Sequence, residues 1–306
     1  GIWNRLVTSR QLRFISKKSG KRSSIIPRSH SILRQSGESG TDLRCKKMIT
    51  STSNQKVKEL LQFQKKSKAR NQERVFIAEG SRMVGETPRK SLLKLYVSET
   101  YYNKHREELE KMKSHPEVLT DTVFAYVSDT KSPQGILAVI RQMDYRLEDI
   151  LRKRTPHILV LDNLQDPGNV GTIFRTAEAA GATGILMSRD CVDIYNPKTI
   201  RSTMGAIYRM PFLYLDDLQK GIRTLKEKNI RIYAAHLKGD NSYDKEDYRR
   251  GTAFLIGNEG NGLNSDIARC ADTWLRIPME GQAESLNAAM AAGILMFEVS
   301  RQRRKG

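Results

Sequence analysis

HILVLDNLQDPGNVGTIFRTAEAAGATGILMS, residues 157–188, reads as a strand, a polar loop, a helix, a glycine turn and a second strand. His157–Asp162 is a short apolar run suited to a buried strand, and Asn163–Gly168 is a cluster of chain breakers. Asn169 is placed to cap a helix. Val170, Ile173, Phe174 and Ala177 then recur at helical spacing, until Gly181 stops the helix before the strand Thr183–Met187. A polar loop between a strand's carboxyl end and a helix's amino end is where open α/β sheets hold ligands. Arg175 stands out within the helix, because a guanidinium is not buried unpaired. It either reaches a surface acid or is held beside a phosphate or a reacting oxygen.

The alternation continues to the end of the chain and predicts a mostly parallel sheet covered on both faces. Asn196–Pro211 reads as a helix and a Gly-centred turn, Leu215–Lys228 as an amphipathic helix, and Ile230–His236 and Ala253–Ile256 as strands. Ile277 and Pro278 end another short strand. Ser285–Arg301 is a long helix whose Leu286, Met290, Gly293, Ile294 and Phe297 form one stripe, expected to face the core. Its small residues Ala288, Ala289, Ala291, Ala292 and Gly293 permit close approach by another backbone.

Upstream, residues 48–142 read as a smaller α/β unit. A helix capped within Ser51–Ser53 carries Val57, Leu60 and Leu61; strands come next at Val75–Ala78, Leu92–Val97 and Gly135–Ile140, with a charged helix over Tyr101–Lys113. A polar linker covers residues 143–156. The run Lys65–Arg74 (KKSKARNQER) is either a solvated helix face or a patch facing a polyanion.

The 306 residues carry a formal charge of +19. Residues 1–47 hold 12 Lys and Arg against 2 Asp and Glu, which leaves the rest of the chain at +9. A body that stays basic without this segment points to a nucleic acid ahead of a membrane surface. No acid precedes Glu38 and there is no apolar core, so residues 1–47 fit an organellar presequence, or else a basic arm. Cys45, Cys191 and Cys270 lie far apart without CxxC spacing, against a disulfide framework or a zinc site. No apolar run approaches the roughly 18 residues of a membrane span.

Three polar, Gly-containing loops come after strands in the second unit: Asn163–Asn169, Gly257–Gly262 and Met279–Ser285. In a parallel sheet all three open on one edge. GNEGNG (257–262) alone is a weak signal, because many turns look like it. A Rossmann fingerprint, a P-loop, GxSxG and metal-ligand spacing are all missing, so a dinucleotide enzyme, an NTPase, a serine hydrolase and a metalloenzyme are poorly supported. Ser285 and Asn287, read alone, are an ordinary helix start.

NVGTIFRTAEAAGA (169–182), FLIGNEGNGL (254–263) and IPMEGQAESLNAAMAAGILMFEVSRQR (277–303) resemble, in order and spacing, the three motifs of the SpoU/TrmH family of RNA ribose 2′-O-methyltransferases, in the SPOUT superfamily. IRSTMGAIYRMPF (200–212) is similar to the segment between the first two motifs. The resemblance covers roughly residues 48–303. It implies an α/β fold with a parallel sheet and a C-terminal trefoil knot, preceded by a small ribosomal-protein-L30e-like α/β domain for RNA. It implies S-adenosyl-L-methionine (AdoMet) as methyl donor, a homodimer, and RNA as partner, with organellar large-subunit rRNA ahead of tRNA; a ribosome-assembly factor that keeps the fold without catalysis is the non-enzymatic alternative. Arg175, Asn169, Glu259, Ser285 and Asn287 are the implied catalytic set. Gly257, Ile277, Met279 and Leu286 are implied to hold the donor, with no metal. The expected compartment is the mitochondrion, with the chloroplast as alternative.

Overall fold

The computed structural model describes residues 48–111 and 115–304. The basic segment 1–47, with Cys45, lies outside the described residues. The described residues form one compact unit that contains two sheets.

The first sheet is built from α1 (Gln55–Lys65), α2 (Ser67–Glu73), β1 (Val75–Glu79), α3 (Ser81–Gly85), β2 (Leu92–Ser98), α4 (Glu99–Lys104), α5 (Arg106–Lys111), β3 (Glu117–Leu119), α6 (Asp121–Val127) and β4 (Ile136–Arg141), in strand order β1-β4-β2-β3. The cap of α1 is Asn54, whose side chain accepts from the Lys56 amide, rather than one of the preceding serines. The single charged helix expected over 101–113 is instead two short ones, broken at His105. One face of the sheet packs Ile77, Tyr96, Leu137 and Val139 against Val57, Leu60 and Phe124 of α1 and α6. The other presents Phe76, Val97, Ile136 and Ala138 to the core of the second sheet, where the Phe76 and Tyr195 rings stack at 5.0 Å. The stretch expected as a linker carries a helix, α7 (Leu147–Leu151), whose fully buried Ile150 packs where Gly184 leaves room.

The second sheet comprises β5 (His157–Leu161), α8 (Pro167–Ala179), β6 (Gly184–Ser188), α9 (Pro197–Thr203), β7 (Phe212–Leu215), α10 (Leu218–Glu227), β8 (Arg231–Ala235), β9 (Asn241–Ser242), β10 (Thr252–Ile256), α11 (Ser265–Ala268), β11 (Thr273–Arg276) and α12 (Ala288–Arg304). Its order is β7-β6-β5-β10-β8-β11-β9, and every neighbouring pair is parallel. Period-two alternation sorts the strands. Leu159, Leu161, Ile185, Met187, Phe254 and Ile256 meet α8 and α12, while Ile158, Val160, Leu186, Ile232 and Leu255 meet α7, α10 and α11. Sequence reading missed β7 and ran its last residue into the next helix. Asp217, which accepts from the Lys220 amide, sets the true start of α10.

Two features of the helical layer bear on the site. Gly171 in α8 faces α9 so closely that a Cβ would lie 2.3 Å from Ser202 Cβ and 2.9 Å from the Thr199 carbonyl oxygen. On α12 the buried face is Ala288, Ala289, Ala292, Leu295, Met296 and Val299. The stripe expected to be core turns the other way: Leu286, Met290 and Phe297 are exposed, at 37%, 60% and 47%. Periodicity marks apolar faces on both sides of this helix and does not say which one the same chain covers.

His157 is 1% exposed, its Nε2 has no hydrogen-bond partner among the described residues, and its ring meets Phe254 edge-on. Burial, and then the charges of Arg303 and Lys153, push its pKa down to about 3. The unfolded chain, with a histidine pKa of about 6.5, therefore binds a proton that the fold refuses. Stability from this group is complete above about pH 6.5 and is lost as pH falls toward 3, by about 2 kcal/mol at pH 5. The His157→Phe variant is expected to lose less melting temperature than wild type between pH 7.5 and 5 in calorimetry; equal losses would contradict a neutral buried ring. Gly171→Ala is expected to cost about 1–3 kcal/mol in urea unfolding, because α8 and α9 must separate.

Candidate active site

The parallel registers decide where the loops open. Leu161 pairs with Ile256, Leu255 with Ala234, and Ala235 with Leu275, so the chain leaves all four strands on one edge. From β5 the chain moves outward through β6 and β7, then returns to the other side through β8 and β10. The β5–β10 pair is thus the reversal point of the sheet, where a crevice forms.

In the first loop Asn163 is left-handed, with φ 55°. Asp166, not Asn169, caps α8: its carboxylate accepts from the Asn169 amide at 2.7 Å, and Pro167 and Gly168 lie inside the first turn. With the cap supplied by Asp166, the Asn169 side chain is free to point elsewhere. In the second loop Gly257 has no room for a side chain, since a Cβ would lie 2.2 Å from the Gly262 carbonyl carbon and the Leu263 nitrogen. Its need for glycine comes from the loop folding back on itself. Asn258 closes that fold. Its amide and carbonyl pair with Gly262, its Oδ1 accepts from the Gly260 and Asn261 amides, and its Nδ2 donates to the Asn163 carbonyl at 2.7 Å. In the third loop Asn287, not Ser285, caps α12, accepting from the Ala289 and Met290 amides.

A chain of side chains joins the three loops. Glu259 Oε1 accepts from the Asp166 amide and from Asn169 Nδ2, both at 3.1 Å, and Oε2 accepts from the Gln165 amide at 3.2 Å. Asn169 Oδ1 accepts in turn from Asn287 Nδ2 at 2.9 Å. Partial burial pushes the Glu259 carboxyl up, but the Asn169 amide and the surrounding backbone N–H groups outweigh it, so the carboxyl titrates below its ordinary range and is ionised at neutral pH.

Beside this chain lies a cavity of about 680 Å³, within the ~300–1,000 Å³ of small-molecule sites. Ile256, Leu263, Ile277, Leu286 and Leu295 give it apolar lining, and Gly257, Glu259, Met279 and Ser285 line it as well. Six expected site residues therefore meet at one cavity: Gly257, Glu259, Ile277, Met279, Ser285 and Leu286. Asn169 and Asn287 stand outside the lining and reach it through Glu259. Arg175 does not line it. It is exposed on α8, with no ion-pair partner among the described residues. The next residue of α8, Thr176, sits 3.7 Å from where a Cβ on Gly293 of α12 would be. Among the described residues no group of His, Cys, Asp or Glu could hold a metal ion.

Sequence reasoning missed Gln165, Asp166 and Asn258 as organisers, and it missed the loop after β8. His236 and Lys238 of that loop also line the cavity, and the His236 ring packs on Trp274 at 4.3 Å. Burial, and then the Lys238 charge, lower the His236 pKa. The available signal was the strand Ile230–His236: in a parallel sheet its carboxyl end joins the same edge.

Residues 156–297 match the SpoU rRNA Methylase family, and residues 54–138 match an MRM3-like substrate binding domain. The chain is 31% identical over 254 residues to a 23S rRNA (guanosine(2553)-2'-O)-methyltransferase of Bacillus subtilis, covering 83% of this chain and 99% of that one. It is 34% identical over 227 residues to rRNA methyltransferase 3A, mitochondrial, of Danio rerio, covering 57% of this chain and 51% of that one. Among solved structures it resembles an AdoMet-bound rRNA methyltransferase from Sinorhizobium meliloti, with a TM-score of 0.73 and 31% identity, over 83% of this chain and 97% of that one.

Replacing Glu259 by Gln puts an NH₂ group against donors and keeps the shape. Hydrogen exchange at the Gln165 and Asp166 amides is expected to speed up about tenfold, the equivalent of one ordinary hydrogen bond. Unchanged exchange would mean that the carboxylate does not hold the loop.

Proposed function

Because the chain belongs to the SpoU rRNA methylase family, we propose that it transfers a methyl group from AdoMet to a ribose 2′-hydroxyl of organellar large-subunit rRNA. The observation that carries this reading is a cavity lined by the loops at 257–262 and 279–285, with the loop at 163–169 joined to it by the hydrogen-bonded chain of Glu259, Asn169 and Asn287.

The cavity fits the donor. Its apolar walls suit a purine, the edge of the Gly257 loop offers backbone groups, and the ionised Glu259 suits a cationic sulfur. Gly257, Ile277, Met279 and Leu286 hold the nucleoside part in this reading. AdoMet, when bound, supplies an electrophilic methyl group. The rest falls to the protein: Asn169 and Glu259 fix the loop that faces the sugar, Ser285 and Asn287 complete the wall, and orientation lowers the barrier by several kcal/mol, up to about 7–11. A guanidinium with a pKa above about 12 is a poor base, so Arg175 acts by stabilising the developing alkoxide and the neighbouring phosphate.

Arg175 reaches the cavity across a homodimer. Leu286 and Met290 put an apolar surface beside the cavity, continued by Phe297, and α8 carries Arg175 next to the same helix. Two copies joined on this stripe bury it and bring each Arg175 toward the other's cavity. The same reading assigns residues 48–142 to rRNA binding, residues 157–306 to catalysis with a trefoil knot, and residues 1–47 to import. The similarity of the chain to a protein named as mitochondrial favours the mitochondrion over the chloroplast.

With labelled AdoMet and large-subunit rRNA, Arg175→Ala is expected to lower turnover about 10²–10³-fold while S-adenosylhomocysteine binds as before. Equal labelling by both proteins would remove Arg175 from the site. Arg175→Ala and Asn287→Ala subunits, inactive alone, are expected to regain activity when co-expressed, since one of the two shared sites is then intact. No recovery would place all the residues within one subunit.

A further inference from the structure

The basic run at 65–74 divides in two. Arg70 is 2% exposed and structural: its Nη1 donates to the carbonyls of Phe63 (2.8 Å) and Gln64 (3.2 Å), which closes the end of α1, and its Nη2 meets Asp193 at 2.5 Å. Lys58, Lys65, Lys66 and Lys68 are all exposed and have no acidic partner among the described residues. Their neighbours differ, since Lys56 pairs with Glu117, Lys94 with Glu59 and Arg74 with Asp144.

Helix stability does not account for these four lysines. Lys65, in the last turn of α1, suits the helix dipole. Lys66 and Lys68, at the amino end of α2, oppose it, and α2 has no side-chain cap. Four unneutralised cations within residues 58–68 also repel one another.

The position of the patch is fixed relative to the cavity. Asp193, the partner of Arg70, belongs to the segment after β6 on the site's edge of the sheet. That segment is tied to the first site loop: the Asn163 amide donates to Ser188 Oγ, the Val192 amide donates to the Leu164 carbonyl, and Gln165 Nε2 donates to the Asp190 carbonyl. An ion pair between buried Arg70 and half-buried Asp193 and three hydrogen bonds therefore run from the bend between α1 and α2 to the loop that holds Asn169.

We infer that Lys58, Lys65, Lys66 and Lys68 form a phosphate-binding surface for the RNA strand flanking the reactive ribose. The surface holds the backbone in register at a set distance from the cavity and reads no base. The inference rests on the reading of the chain as an RNA methyltransferase.

The test is binding of a fluorescently labelled large-subunit rRNA fragment across a salt titration, by wild type and by the variant with all four lysines replaced by Gln. The variant is expected to bind at least about tenfold more weakly at low salt. Its log–log salt slope is expected to flatten by about one unit per lysine in contact. Its melting temperature and its affinity for S-adenosylhomocysteine are expected to stay unchanged, and the matching Lys→Arg variant is expected to restore RNA affinity. Equal affinity and slope for wild type and the Gln variant would overturn the inference and make the lysines a solvated face. Wild type that shows the salt-dependent binding but transfers no methyl group would sink the enzymatic reading and leave the surface standing.

Discussion

Parallel strands all end on one edge, and the loops that leave that edge have no reason of their own to agree in position. Here the agreement comes from the carboxylate of Glu259, which accepts two backbone N–H groups and one side-chain amide from the loop after β5. Each bond to such an ionised acceptor contributes up to about 1.5–3 kcal/mol. Their value lies in sharing a single acceptor, because the loops cannot move apart without losing all of them. The caps extend the constraint into the helices. Asp166 fixes the start of α8 and Asn287 the start of α12, and Asn287 also donates to Asn169. Two helix ends and a glycine loop are thereby positioned as one piece.

The first sheet belongs to the same piece. Tyr208 donates to the Met83 carbonyl at 3.0 Å, and Arg209 joins Glu86, after α3, to Glu178 on α8. The Tyr195 hydroxyl accepts from the Met143 amide at 2.8 Å. With Arg70 and Asp193, these contacts surround a shared apolar core instead of a hinge. The first sheet is thereby held at one distance and angle to the cavity.

The centre of the second sheet was legible in the sequence because β5, β6 and β10 are buried on both faces and read as short continuous apolar runs, whereas the less buried β7 was missed. Its shared edge could be read from the βα alternation alone. What escaped was decided by tertiary geometry. Asp166 and Asn169 are both good caps three residues apart, and their roles separate only in the fold, where the Asp166 carboxylate accepts from the Asn169 amide and the Asn169 side chain turns to Glu259. Gly257 could have served a ligand or its own loop, and the 2.2 Å clash with the Gly262 carbonyl favours the loop. Both sides of α12 carry apolar residues, and only the tertiary packing shows that Ala288, Ala292, Leu295 and Val299 are covered while Met290 and Phe297 stay exposed. Arg70 looked like one more cation in a basic run, because its partner Asp193 is 123 positions away.

The span of the relay also sets when the cavity can exist. Asn169 and Glu259 are 90 positions apart, and Asn169 and Asn287 are 118 apart. Closing such loops carries an entropy cost that nothing local repays, and folds rich in distant contacts form slowly. The pocket, lined between residues 235 and 295 and tied to Asn169, is complete only when these distant segments have met. A small molecule that binds there holds on to finished protein only, and it protects that protein in proportion to the logarithm of its concentration. The supply of the bound compound then helps to govern how long each folded copy persists.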